Sequence, residues 1–101
     1  MTDASDLIIP IPKNGLPDLP QLIDDPIYTN FDHTWNPDIQ EQVERGEGYA
    51  QHAARDFCGY VWKTEEGYAE VVWIYNEPRA CYHAPDLADL IKAVNDRWGH
   101  K

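Results

Sequence analysis

Residues 57–99 read without a gap as strand, hairpin, strand, turn, strand, helix, and this run limits the folds open to the chain. Apolar residues alternate at a period of two through most of its first half, and the period becomes helical at Pro85. The first strand is expected at about residues 56–63. Glu65-Glu66-Gly67 makes the hairpin, with Gly67 suited to positive φ. The second strand, about residues 68–75, is rich in β-branched and aromatic side chains. A turn over residues 76–79 has Pro78 in a permitted place, and a short third strand covers residues 80–83. Pro85 then opens a helix with Asp86 in its first turn, and Gly99 stops it. Leu87, Leu90, Ile91, Val94 and Trp98 fall on one stripe of that helix. The predicted fold class is therefore α+β: a three-stranded antiparallel sheet with one C-terminal helix (βββα), preceded by a proline-rich N-terminal arm and a short helix.

The arm is residues 1–36, proline-rich and acidic and expected to be partly ordered; residues 37–101 form the βββα domain with its leading helix. Five of the eight prolines lie in the arm, which works against regular helix or central strand. The arm still carries Leu7, Ile8, Ile9 and Ile11, then Leu16, Leu19, Leu22 and Ile23, then Ile27, Tyr28, Phe31 and Trp35. So much apolar surface does not suit a free tail. Residues 21–36 are expected to wrap over the domain; residues 1–20 have no assigned place, so their deletion is expected to leave the melting temperature nearly unchanged. Asn36 suits a helix N-cap, Pro37 the first helical position, and Gly46 or Gly48 the end of a short helix running to about Arg45. Residues 49–55 are ambiguous between a helical turn and the approach to the first strand.

On the first two predicted strands both faces are apolar. With a three-residue hairpin loop, one face collects Cys58, Tyr60, Trp62, Val72 and Ile74, and the other Phe57, Val61, Val71, Trp73 and Tyr75. A two-residue loop exchanges the second-strand sets. One helix covers only one face, so the other needs the arm, a second copy of the chain (a homodimer), or another protein. Tyr60, Val72 and Ile74 are the better match in size to the helix stripe, which leaves Trp73 and Tyr75 outside the helix–sheet core. Trp73, Tyr75, Val71 and Phe57 are the candidate partner-binding residues, since aromatic rings with polar tips are common protein-contact anchors.

Charge narrows the partners. The formal charge is −10. Residues 1–54 carry ten acids against Lys13 and Arg45, and residues 55–101 eight acids against six bases. Such a chain repels phosphate backbones, so direct nucleic-acid binding is disfavoured. The acidity reads first as a solvated surface, with DNA mimicry as the sharper alternative. No apolar run approaches the roughly 20 residues of a membrane span, and no basic leader opens the chain, so no membrane contact and a cytoplasmic location are expected.

No catalytic residue, cofactor or metal site is predicted. Cys58 and Cys81 sit on the first and third strands, with a whole strand between them, and are expected to be reduced. His33, His52, His83 and His100 show no metal-ligand spacing, although His83 and Cys81 share a strand face. Glu65, Glu66, Glu70 and Glu77 lie in or beside turns and read as a solvated rim. Without a phosphate loop or nucleophile elbow, the expectation is a non-enzymatic protein.

Phe57-Cys58-Gly59-Tyr60-Val61-Trp62, then Ala84-Pro85-Asp86-Leu87, Ala93-Val94-Asn95-Asp96 and Trp98-Gly99, resemble a set of small proteins of unassigned function encoded by phages of actinobacteria. That resemblance implies a small acidic accessory protein made early in infection and acting in the host cytoplasm by binding a host or partner protein. The hairpin Glu66-Gly67-Tyr68 within a βββα order also resembles HicB-type antitoxins, which implies neutralisation of a small ribonuclease toxin. Neither family supplies a catalytic residue.

Overall fold

The structure is a computed structural model that describes residues 7–16, 37–53 and 57–98. Its elements are β1 (Ile8–Ile9), α1 (Pro37–Glu44), β2 (Tyr49–Ala53), β3 (Cys58–Lys63), β4 (Tyr68–Ile74), β5 (Glu77–Ala84) and α2 (Leu87–Trp98). The strands form one antiparallel sheet in the order β1-β5-β4-β3-β2. Five strands replace the three expected. The extra two come from segments of weak local signal: a two-residue strand among prolines, and Tyr-Ala-Gln-His-Ala, which lacks β-branched residues. Pairing along β5 and β3 decides both, as tertiary context commonly overrides strand propensity.

β1 belongs to the predicted arm. Ile8 lies opposite Tyr82 and Ile9 opposite Cys81, and a turn closed by Gly15 N–H to Pro12 O at 2.9 Å follows. Part of the segment left without a place is thus the edge of the sheet. Residues 21–36 and the proposed Asn36 cap lie outside the described residues.

The β3–β4 hairpin settles the register. Lys63 faces Tyr68, and Thr64 N–H bonds Gly67 O at 2.8 Å, leaving the two-residue loop Glu65-Glu66. Gly67 is not in the left-handed region; a Cβ there would strike Ala84 O and Pro85 Cα, so close approach is what demands glycine. This register groups Phe57, Gly59 and Val61 with Glu70, Val72 and Ile74, and sets Cys58, Tyr60 and Trp62 with Ala69, Val71 and Trp73. Val72 and Ile74 face the helices as expected, but Tyr60 does not.

The β4–β5 turn is tighter than expected. Ile74 pairs with Glu77 around Tyr75 (φ 51°) and Asn76 (φ 68°), a two-residue hairpin with both central residues left-handed. β5 consequently begins at Glu77 and runs for eight residues, with Pro78 tolerated next to Arg79, the extra residue that β5 carries where the register shifts between Val72 and Trp73.

Both helices pack on one face. α1 buries Val43 and ends in a Schellman closure: Gly46 (φ 74°) N–H bonds Val43 O at 2.9 Å, and Glu47 N–H bonds Gln42 O at 3.1 Å. α2 starts two residues later than expected because Asp86 is its cap, accepting Ala88 N–H on Oδ1 at 2.9 Å. Leu87, Leu90, Ile91 and Val94 then join Val61, Val72 and Tyr82 in the core, each contributing roughly 1.5–3 kcal/mol by burial. Trp98 Nε1–H donates to the Tyr82 hydroxyl at 2.9 Å and fastens the last turn to β5.

Candidate functional site

The face opposite α1 and α2 carries a row of rings built by the register. Tyr49 on β2 lies opposite Trp62 on β3. Tyr60 meets Tyr49 edge-on at 5.8 Å between centroids and Trp73 edge-on at 6.3 Å. All four are half-buried and span β2, β3 and β4. Edge-to-face pairs of this kind are worth about 0.5–1.5 kcal/mol beyond burial and hold the rings in place. At one end Trp73 Nε1–H donates to Gly15 O at 2.8 Å, so the turn after β1 closes over that ring.

The four predicted contact residues separate. Trp73 stands in the row. Val71, opposite Tyr60 on the same face, is fully buried and has no surface to offer. Tyr75 is 94% exposed at the hairpin tip. Phe57 is on the other face, buried in the helix–sheet core and edge-on to His52 at 5.1 Å. Tyr49 and Trp62 complete the row without having been singled out. Strand alternation from Tyr60 reaches Trp62, but Tyr49 needed β2 to be recognised as a strand.

The core face holds a polar pair that the sequence reading placed in solvent. Glu70, expected on a solvated rim, is fully buried at the centre of β4. Its Oε2 lies 2.7 Å from Nδ1 of His52 on β2, also fully buried. The two meet across β3 because Gly59 stands between them: a Cβ there would collide with Glu70 Oε2. Glu70 Oε1 has no hydrogen-bond partner among the described residues. Burial pushes the Glu70 carboxyl above the usual carboxylate range, with His52 partly opposing. Glu65, Glu66 and Glu77 are exposed, as expected of a rim.

Other reactive groups are quiet. Cys58 and Cys81 are free thiols. Burial pushes Cys81 up to about 12, which leaves it a poor nucleophile, and Cys58 Sγ accepts from Gln51 Nε2. His83 Nε2 pairs with Thr64 Oγ1 at 2.8 Å. Among the described residues no three His, Cys, Asp or Glu side chains gather as metal ligands, and no helix is long and apolar enough to cross a membrane. His33 and His100 lie outside the described residues.

No protein-family model, curated protein or solved structure matches this chain. The geometry alone therefore bears on function: an aromatic face opposite the helices, and a buried acid–imidazole pair beneath them.

Proposed function

We propose that this is a small, non-enzymatic, acidic accessory protein of the phage type, which acts by binding a host or partner protein through the aromatic face of its sheet. The observation that carries this reading is the row Trp62, Tyr49, Tyr60 and Trp73, half-buried on the face away from α1 and α2, with Tyr60 bracing Tyr49 and Trp73 edge-on. Rings held this way lose little side-chain entropy on docking, and Trp and Tyr dominate protein-contact hot spots. Tyr75, in the turn after β4, adds an exposed ring at the hairpin tip. The net charge of −10 favours a partner with a basic rim over a nucleic acid.

The test is capture of partners from a host lysate by the parent and by a Trp62→Ala/Tyr75→Ala variant, after circular dichroism has shown both folded. A partner retained by the parent and lost by the variant supports the aromatic face. Undiminished capture moves the binding surface elsewhere. A second reading, a HicB-like antitoxin, draws support from the continuous β3–β4–β5–α2 meander and helix. It requires that co-expression rescue cells from a small basic ribonuclease encoded by a neighbouring gene.

A further inference from the structure

The His52–Glu70 pair brings a carboxyl and an imidazole, both fully buried, into the described core. Phe57 lies edge-on to the imidazole, Val61 lies opposite Glu70 on β3, and Val43 of α1 with Leu90 and Val94 of α2 fills the hydrophobic cluster that also holds Phe57 and Val61. Packing does not call for such a pair, since apolar replacements of a buried pair are often neutral or stabilising. What the pair adds is dependence on a proton. Oε2 and Nδ1 lie 2.7 Å apart, so one proton is shared between them, and with a proton also on Nε2 the pair is neutral whichever of the two atoms holds the shared one. Loss of that proton leaves one net negative charge in a site with no exposure to water.

We propose that the proton shared by His52 and Glu70 is the latch of an alkaline-sensitive switch that releases β2 and α1 from the rest of the sheet. β4 is held on both sides, by β3 and β5, so Glu70 cannot easily move to water. β2 is paired with β3 alone among the described residues, and α1 rests on β2 and β3. Opening that edge hydrates the pair while leaving the β3–β4 and β4–β5 pairings intact.

Among the described residues, the groups acting on the carboxyl are few. His52 faces it from β2. From β5 come Tyr82, directly opposite, and Cys81, whose thiol stays protonated through the neutral range. β3 offers Gly59 and Val61, and the buried polar residue of α2 is Asn95, which is uncharged. The carboxyl binds its proton more tightly folded than unfolded. Its stabilisation is therefore complete below the unfolded value of about 4.3 and is lost as pH rises through the folded value. An unfolded imidazole keeps its own proton to about pH 6.5, so the steep part of the pair's loss lies above that, at most tenfold in the folding equilibrium per pH unit for one proton.

The experiment is urea unfolding of the full chain at pH 5 to 9, for the parent and for Glu70→Gln, with amide protection factors measured on the parent. The parent should lose stability above about pH 6.5, its β2 amides losing protection before those of β4 and β5. The Gln variant, which cannot ionise there, should lack that part of the slope. Parallel profiles for the two proteins, or uniform loss of protection across the sheet, would overturn the proposal. If the Gln variant does not fold, carboxyl carbon shifts of the parent decide. One Glu titrating above the ordinary carboxylate range supports the latch; all Glu carboxyls titrating in the ordinary range refutes it.

Discussion

Trp73 and Gly15 are 58 residues apart and are joined by an indole N–H to carbonyl hydrogen bond of 2.8 Å. Gly15 has φ 76°, and a Cβ there would lie 2.6 Å from Trp73 Cζ2 and 3.2 Å from Pro78 Cγ. The contact thus ties the N-terminal edge strand to the aromatic face, and only glycine permits it.

Gly15→Ala is expected to destabilise the fold by about 1–3 kcal/mol, through the clash with Trp73 and the left-handed backbone together. Deletion of residues 1–16 removes β1 and the partner of the Trp73 indole, so it should lower the melting temperature as well, contrary to the reading of residues 1–20 as dispensable. Thermal melts of both proteins check this. A melting temperature equal to the parent's in the truncated chain would show that β1 adds nothing.

Gly59 serves a different purpose. It leaves the gap through which Glu70 on β4 reaches His52 on β2. Gly59→Ala should cost roughly 1–3 kcal/mol by overpacking. Combining it with Glu70→Ala should recover part of that loss, because the shorter side chain vacates the space. A double-mutant cycle measures the recovery; strict additivity would mean that the two residues do not compete for the same volume.

α2 is the element most directly bound to the core. Leu90 is fully buried, and Leu90→Asp places an unpaired charge there, a change expected to cost at least about 3–5 kcal/mol. Against a total of roughly 5–15 kcal/mol for a domain, that is enough to unfold much of the population. Parent-like denaturant midpoints for this variant would remove α2 from the core.

What the sequence made legible follows signal strength. α2 was readable because its stripe is complete and long enough to fix a period, and β3 and β4 because their rings and branched residues alternate over six and seven positions. β1 and β2 were not, since two residues among prolines and a five-residue run with two alanines carry no period of their own. Glu70 was misread because a lone carboxylate near a hairpin is normally solvated. The clue lay in its place between Ala69 and Val71 on a strand whose neighbours on both sides are buried, but its meaning depended on Gly59 and on β2 bringing His52 alongside. The aromatic row was visible only in part: Tyr60 and Trp62 share a face of a legible strand, but the hairpin loop length decides whether Trp73 joins them, and Tyr49 belongs to the illegible strand.

Tyr75 sits where local energetics oppose it. Both central residues of its hairpin have positive φ, a geometry that favours Asn-Gly, and an aromatic residue in the left-handed region costs roughly 1–2 kcal/mol. Its ring gains nothing in return from burial, being 94% exposed. Replacing Tyr75-Asn76 by Asn-Gly should therefore stabilise the protein by about 1 kcal/mol, a rise of some 4–8 °C in melting temperature for a domain of this size. If the exposed ring is held there for a partner, the same Tyr75→Asn/Asn76→Gly variant should capture that partner less well while melting higher. A variant that melts higher and binds as the parent does would confine the strain to the turn and leave Tyr75 without a part in recognition.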